Sequence, residues 1–254
     1  MASQIVTPVV RGLRLLRYIA EGGSTANLSE VGRFIDVNRV TVMRLLATME
    51  HEGMVERLPQ GGHRIGLGFL TMAASGLGSL DLLGAGRRLL VRLCRDLGLS
   101  AYLVVMDAGD IVYVAREMPE SGLVSHIRVG SRVAAYLTAP GRAMLATLAP
   151  EDLAQRMSGV GASDQAGKSG PGAFEQLNEV LAREREHGCA WSFSGYEAGI
   201  NACAAAVRSV SGSAVAAISV VGPERVFGEN SAFVKKVEAA VKLATDELAR
   251  IAAC

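Results

Sequence analysis

The spacing of apolar residues changes character along this chain, and each change marks an element. Val9, Leu13, Leu16 and Ala20 recur at helical intervals behind Thr7-Pro8, which reads as an N-cap and a first-turn proline; Gly22-Gly23 ends the run. Asn27-Leu28-Ser29-Glu30 places Glu three residues after a capping side chain and opens a short helix to about Ile35. Asp36-Val37-Asn38 is a tight turn, and Asn38 caps a third helix that runs to about Glu52 and is closed by Gly53. On a wheel of about 100° per residue, Val42, Leu45, Leu46 and Met49 form the core face of that helix, while Val40, Met43, Arg44, Ala47 and His51 lie opposite. Met54 to Leu58 and His63 to Leu67 flank Pro59-Gln60-Gly61-Gly62, a hairpin pattern. Three helices and a hairpin within 67 residues is the layout of a winged helix-turn-helix.

Residues 68–80 mix Gly, Ala and Ser with Leu and Met and predict a linker helix; a second helix is expected from Asp81 to Leu97. From Ser100 the period shortens. Strands are expected at 101–106 and 111–115, joined by Asp107-Ala108-Gly109-Asp110, and at 123–129, 189–194, 202–207 and 214–221. Helices are expected at 139–149, 151–158, 173–187 and 229–252, and the Gly/Ser-rich stretch 158–172 reads as a mobile loop. Strands and helices interleave without strict alternation, which predicts an α+β domain with an antiparallel sheet. The expected organisation is a DNA-binding domain at 1–67, a linker at 68–80 and a larger domain at 81–254.

Half of the 254 residues are hydrophobic and a fifth are charged, enough for a substantial core. The whole chain is nearly neutral, so overall charge gives no argument for nucleic acid. Residues 1–75 hold eight Arg against six acids, a net of +2, so the argument rests on where those Arg residues sit. Cys94, Cys189, Cys203 and Cys254 form no metal-ligand spacing and read as reduced thiols of a cytoplasmic protein. No secretory leader, membrane span or cofactor motif is expected.

A recognition helix enters the major groove by its first turns. Arg39 and Arg44 can donate forked hydrogen bonds to guanine or phosphate, and an exposed Val40 suits a thymine methyl group. Ser29, Asn38 and Thr41 at the helix starts, with Arg57, His63 and Arg64 on the hairpin, complete the expected DNA-binding set.

Several blocks add a resemblance. Leu28-Ser29-Glu30, Thr41 to Glu50 and Gly53 to Arg57 resemble the DNA-binding domain of the IclR family of transcriptional regulators. Val129-Gly130-Ser131-Arg132, Thr138 to Ala146, Gly199 to Val207 and Ala216 to Pro223 resemble, in the same order, the blocks of that family's effector domain. The resemblance implies a GAF-like effector domain, dimers or dimers of dimers, and control of a catabolic operon, as a repressor, through a small effector. The partners it implies are double-stranded operator DNA, a second copy of the chain, and an organic acid or aromatic metabolite. By block it places the effector against Leu123, His126, Thr138, Ala139, Ser192, Ile200, Asn201, Ala202, Ser219 and Val221. Many relatives have acids at the positions of Ser192 and Gly195 and a serine at that of Val221, so this pocket should be less charged and suit a larger, aromatic effector. Thr138 is expected to cap a helix whose amides at Ala139 and Gly141 favour a carboxylate or another acceptor. Two alternatives stay open on the residues alone: a hydrolase, although no G-x-S-x-G elbow or paired carboxylates are present, and a small-molecule sensor that does not bind DNA.

Overall fold

The computed structural model describes residues 5–78, 81–120, 127–157, 173–227 and 231–252. The chain divides into two compact units, Met1–Ser79 and Leu80–Cys254.

In the first unit, α1 (Thr7–Ala20), α2 (Leu28–Ile35) and α3 (Arg39–His51) are followed by the hairpin β1 (Val55–Arg57) and β2 (His63–Ile65), then by α4 (Leu67–Gly78). Two expectations for α1 are corrected. Its N-cap is Val6, which offers no side-chain bond; Thr7 and Pro8 lie inside the first turn, where the missing proline N–H costs nothing. Its buried stripe is Gly12, Leu15 and Ile19, whereas Val9, Leu13 and Ala20 are exposed. Both stripes have helical spacing, and spacing alone does not say which of two apolar faces turns inward. Leu15 and Ile19 join Val31, Ile35, Val42, Leu46 and Val55 in the core of this unit.

The second unit opens with α5 (Asp81–Leu97) and the hairpin β3 (Ser100–Asp107) and β4 (Asp110–Glu117), turned at Ala108 in the left-handed region. β5 (Arg132–Ala134), a single 3-10 turn (Ala135–Leu137), α6 (Ala139–Leu145), α7 (Pro150–Met157) and α8 (Ala173–His187) follow. β6 (Ala190–Phe193), β7 (Ile200–Arg208), β8 (Ala214–Pro223), a one-turn α9 (Glu224–Phe227) and α10 (Ser231–Ala252) complete it. The described strands form one sheet of order β5-β4-β3-β8-β7-β6, and every pairing is antiparallel.

Some predicted elements move. Of the strand expected at 123–129, residues 121–126 lie outside the described residues, and Val129-Gly130 is a turn. The strand falls instead at Arg132–Ala134, where three residues pair with Val112 to Asp110. α6 stops at Leu145, because the amides of Thr147 and Leu148 turn back onto Met144 and Leu145. The loop expected at 158–172 lies outside the described residues.

The sheet has two covered faces. Ala101, Leu103, Cys203, Ala205, Ile218 and Val220 pack with α5 and α10. Tyr102, Val104, Tyr113, Ala217 and Val221 pack with residues of α6, α7 and α8. β3 and β4 contain a bulge at Leu103/Val104: Leu103 faces Ala115, but Val104 faces Tyr113, so one residue of β4 is skipped. Among the described residues no helix is long and apolar enough to cross a membrane.

Candidate functional site

The first candidate surface is built around the turn between α2 and α3. Asn27 caps α2, its side chain accepting from the amides of Ser29 and Glu30 at 3.2 and 3.4 Å. Asp36 ends α2 in the left-handed region, and the Val37 amide donates to Gly32 O at 2.8 Å. A Cβ on Gly32 would meet Val37 O at 2.5 Å, so this tight turn admits only glycine there. Asn38 then caps α3, accepting from the Thr41 amide at 2.8 Å and the Thr41 hydroxyl at 3.0 Å.

The caps fix the roll of α3. Val42 and Leu46 are buried, with Leu45 and Met49 packed beside them. Arg39, Val40, Met43, Arg44 and Ala47 are exposed, Val40 at 63%. Among the described residues neither Arg39 nor Arg44 has an ion-pair partner. Their guanidiniums therefore keep their full donor capacity for an outside acceptor. Ser29 and Arg57 are also exposed.

Two hairpin residues named from the sequence are held internally. Arg64 pairs with Glu56 across the hairpin at 2.5 Å, an exposed bridge that a phosphate could displace at little cost. His63 is not a contact residue at all. Its side chain is buried between Thr25 Oγ1 at 2.8 Å and Glu50 Oε1 at 2.9 Å. The carboxylate can only accept, so Nε2 carries the proton that bridges to Glu50. His63 thus ties the hairpin to the C-terminal half of α3 and to the residues before α2.

The second candidate is a pocket of about 360 Å³, including its mouth, on the sheet face that carries Tyr102 and Val221. Seven of the ten residues named from the sequence line it: Thr138, Ala139, Ser192, Ile200, Ala202, Ser219 and Val221. Leu123 and His126 lie outside the described residues. Asn201 does not line it. Strand alternation turns Ile200 and Ala202 to the pocket and Asn201 away. Its Oδ1 instead accepts from the Ser194 amide at 3.0 Å, in a turn where Ser194 is left-handed.

Sequence reasoning missed Tyr113, Ile127, Pro140 and Tyr196 in the wall, which Glu197 also lines. The bulge in β3 and β4 explains Tyr113. Without the skipped residue, Tyr113 would share the face of Ala115, under α5 and α10. Burial, then the neighbouring phenols, then Glu197 push the Tyr113 phenol well above its ordinary value, and burial followed by Glu197 does the same for Tyr196. Both stay protonated donors at neutral pH. The Ser219 hydroxyl, 1% exposed, has no hydrogen-bond partner among the described residues. A buried orphan hydroxyl costs about 1–3 kcal/mol unless something enters to bond it. Among the described lining residues there is no Lys, Arg or His. The helix start offers less than expected to an anion. The Thr138 hydroxyl already accepts the Gly141 amide at 3.1 Å, and Pro140 has none to give. Gly141 is also required for packing, since a Cβ there would meet Ala135 O at 2.1 Å.

Residues 8–59 match the IclR helix-turn-helix domain, and residues 74–249 match the bacterial transcriptional regulator IclR C-terminal domain. The chain belongs to the IclR family. It is 27% identical to the transcriptional repressor IclR of Escherichia coli K12 over 223 residues, covering 86% of this chain and 80% of that one. It is 24% identical over 220 residues to the HTH-type transcriptional regulator XynR of the same organism, covering 85% and 86%. The IclR-type regulator of Alicyclobacillus acidocaldarius superimposes with a TM-score of 0.84 at 22% identity, covering 98% of this chain and 99% of that one. An IclR homolog from Microbacterium hydrocarbonoxydans, complexed with 4-hydroxybenzoate, superimposes at 0.80 and 22% identity, covering 96% and 99%. The chain is thus a DNA-binding transcriptional regulator and not an enzyme, which removes the hydrolase alternative.

Proposed function

We propose that this IclR-family regulator is an effector-responsive repressor of a catabolic operon. In this reading the winged helix-turn-helix at 1–67 binds a pseudo-palindromic operator and the linker follows at 68–80. The domain at 81–254 binds the effector and assembles the chain as a dimer or dimer of dimers. The observation that carries the reading is the outward face of α3, where Arg39 and Arg44 stand beside exposed Val40 without ion-pair partners among the described residues. That combination, capped by Asn38 and Thr41, fits the floor of a major groove: cations for phosphate and guanine, and an apolar tip for a thymine methyl group. Ser29, Arg57 and Arg64 would reach the flanking backbone.

Exposed apolar side chains of the first unit support self-association. Val6, Val9 and Leu13 on or just before α1, and Leu67, Leu70 and Met72 on α4, are all exposed. A second copy of the chain would cover these side chains and present two recognition helices to two half-sites.

The effector would occupy the pocket against Thr138, Ser192, Ser219 and the phenols of Tyr113 and Tyr196, with Ile200, Ala202 and Val221 as its apolar wall. The hydroxyl-rich lining, in which Glu197 is the one charged residue among those described, favours an aromatic metabolite over a small dicarboxylate. The neighbour holding 4-hydroxybenzoate has the same fold and supports a ligand of that shape. The ligand regulates only if it binds the operator-competent and incompetent arrangements with different affinity.

A gel shift on the DNA upstream of the chain's own gene tests the proposal. At low salt the folded protein retards that fragment, and one member of a set of phenolic and monocarboxylic metabolites changes the shift. No retardation by folded protein would leave the sensor that does not bind DNA as the better reading.

A further inference from the structure

Two thiols in the second unit lie in its core, outside the lining of the candidate pocket. Ala190 pairs with Ala204 and Trp191 with Cys203, so the register sets Cys189 opposite Ala205, on the same sheet face as Cys203 and diagonal to it. Both sit in the cluster beneath α5 and α10, at 4% and 0% exposure. Their side chains lie within hydrogen-bond reach of each other. Neither is bonded to another cysteine.

The two thiols are not equivalent. Cys189 lines two surface cavities of about 730 and 590 Å³, mouths included, that share Glu184, His187 and Cys189; Cys203 lines neither. The hydrogen bond from Cys203 draws the Cys189 thiol below its ordinary value against the opposing effect of burial. Lys242 of α10, whose ammonium donates to His187 O, adds to the lowering, while Glu238 opposes it. The bond to Cys189 and burial push Cys203 the other way. The sulfur that borders these cavities is the one biased toward thiolate, the attacking form, and the fully enclosed one is held protonated against it.

We propose that Cys189 and Cys203 are an oxidation site in which Cys189 is attacked first and Cys203 resolves it to an intrachain disulfide. The oxidant is a hydroperoxide. The Cys189 thiolate attacks one peroxide oxygen, the O–O bond breaks, and the departing oxygen leaves as water or an alcohol after taking a proton. Cys189 becomes a sulfenic acid. The Cys203 sulfur then attacks the Cys189 sulfur, the S–O bond breaks, and water leaves with the thiol proton. Two thiols have lost one electron each and the peroxide has gained two. The new bond ties the start of β6 to β7, the strands that carry Ser192 and Ala202 of the pocket wall.

The sequence supplies a direct readout. Trypsin cuts after Arg185 and Arg208 and nowhere between, so both sulfurs lie on the single peptide Glu186 to Arg208. The reduced full-length protein is treated with hydrogen peroxide, unfolded in iodoacetamide and digested. The expected product is that peptide two hydrogens lighter, with both alkylation sites lost, while Cys94 is still alkylated. In Cys203→Ser, a dimedone adduct accumulates on Cys189; in Cys189→Ser, Cys203 stays alkylatable. A wild-type peptide carrying two alkyl groups, after peroxide sufficient to oxidise free glutathione in the same tube, overturns the proposal. So does one in which Cys189 proceeds to the sulfinic acid without pairing.

Discussion

Arg44 and Arg142 are the same residue put to opposite uses. Arg44 stands exposed on α3 with no partner among the described residues. Arg142 on α6 is 12% exposed at its side chain; its Nε donates to Glu184 Oε1 at 2.9 Å and its Nη2 to Trp191 O. The first guanidinium has no bond among the described residues, and in the proposed reading its donors serve a polyanion. The second is consumed in joining α6 to α8 and β6, beside the pocket. Function at a surface is visible here as bonds left unmade, and architecture as bonds completed. Substituting each in turn separates the two uses.

Arg142→Ala should have the largest effect. It strands the Glu184 carboxylate, whose Oε2 is already buried without a partner, and should cost about 3–5 kcal/mol in urea unfolding. The loss should shrink in acid. Burial already raises the Glu184 carboxyl above its ordinary value, against the pull of Arg142, and without Arg142 it rises further. A protonated Glu184 needs no counter-charge, so variant and parent should converge as pH falls through that raised value. A deficit independent of pH would show that packing, not charge, is what Arg142 provides.

Arg44→Ala should leave the melting temperature unchanged and weaken operator binding by about 1–3 kcal/mol, with a shallower salt dependence if its contact is a phosphate. Loss of stability with affinity intact would place Arg44 with Arg142. His63→Ala should cost about 1–3 kcal/mol of unfolding free energy, because buried Thr25 and part of Glu50 lose their partner, and it should blunt DNA binding only through the loosened hairpin. Ser219→Ala should be the mildest and opposite in sign. Removing an unpaired buried hydroxyl should leave stability unchanged or raise it by about 1 kcal/mol, while calorimetry shows weaker ligand binding. A clear loss of stability would mean that Ser219 is bonded within the fold.

The comparison also marks where sequence reasoning reaches. The caps at Asn27 and Asn38 and the wheel of α3 were legible, because one side chain sets a helix start and the period then assigns every face. Seven pocket residues were legible from the family blocks and from strand alternation around Ala202, Ser219 and Val221. Three features were not. His63 read as a DNA contact on the hairpin because its partners are 38 and 13 residues away in sequence. The α1 stripe was misassigned because that helix has two apolar faces, of which only one meets its own unit's core. Tyr113 was hidden by a bulge that no pattern of two reveals.

The His63 bridge carries a last implication. Because one imidazole clamps the hairpin to Glu50 near the end of α3, the reading helix and the wing form a two-pronged gauge of fixed width. A duplex lengthened by one base pair between the points each prong touches cannot be accommodated by flexing either. In the proposed reading the protein would then measure distance as well as letters within one half-site, and any latitude in spacing would come from between half-sites.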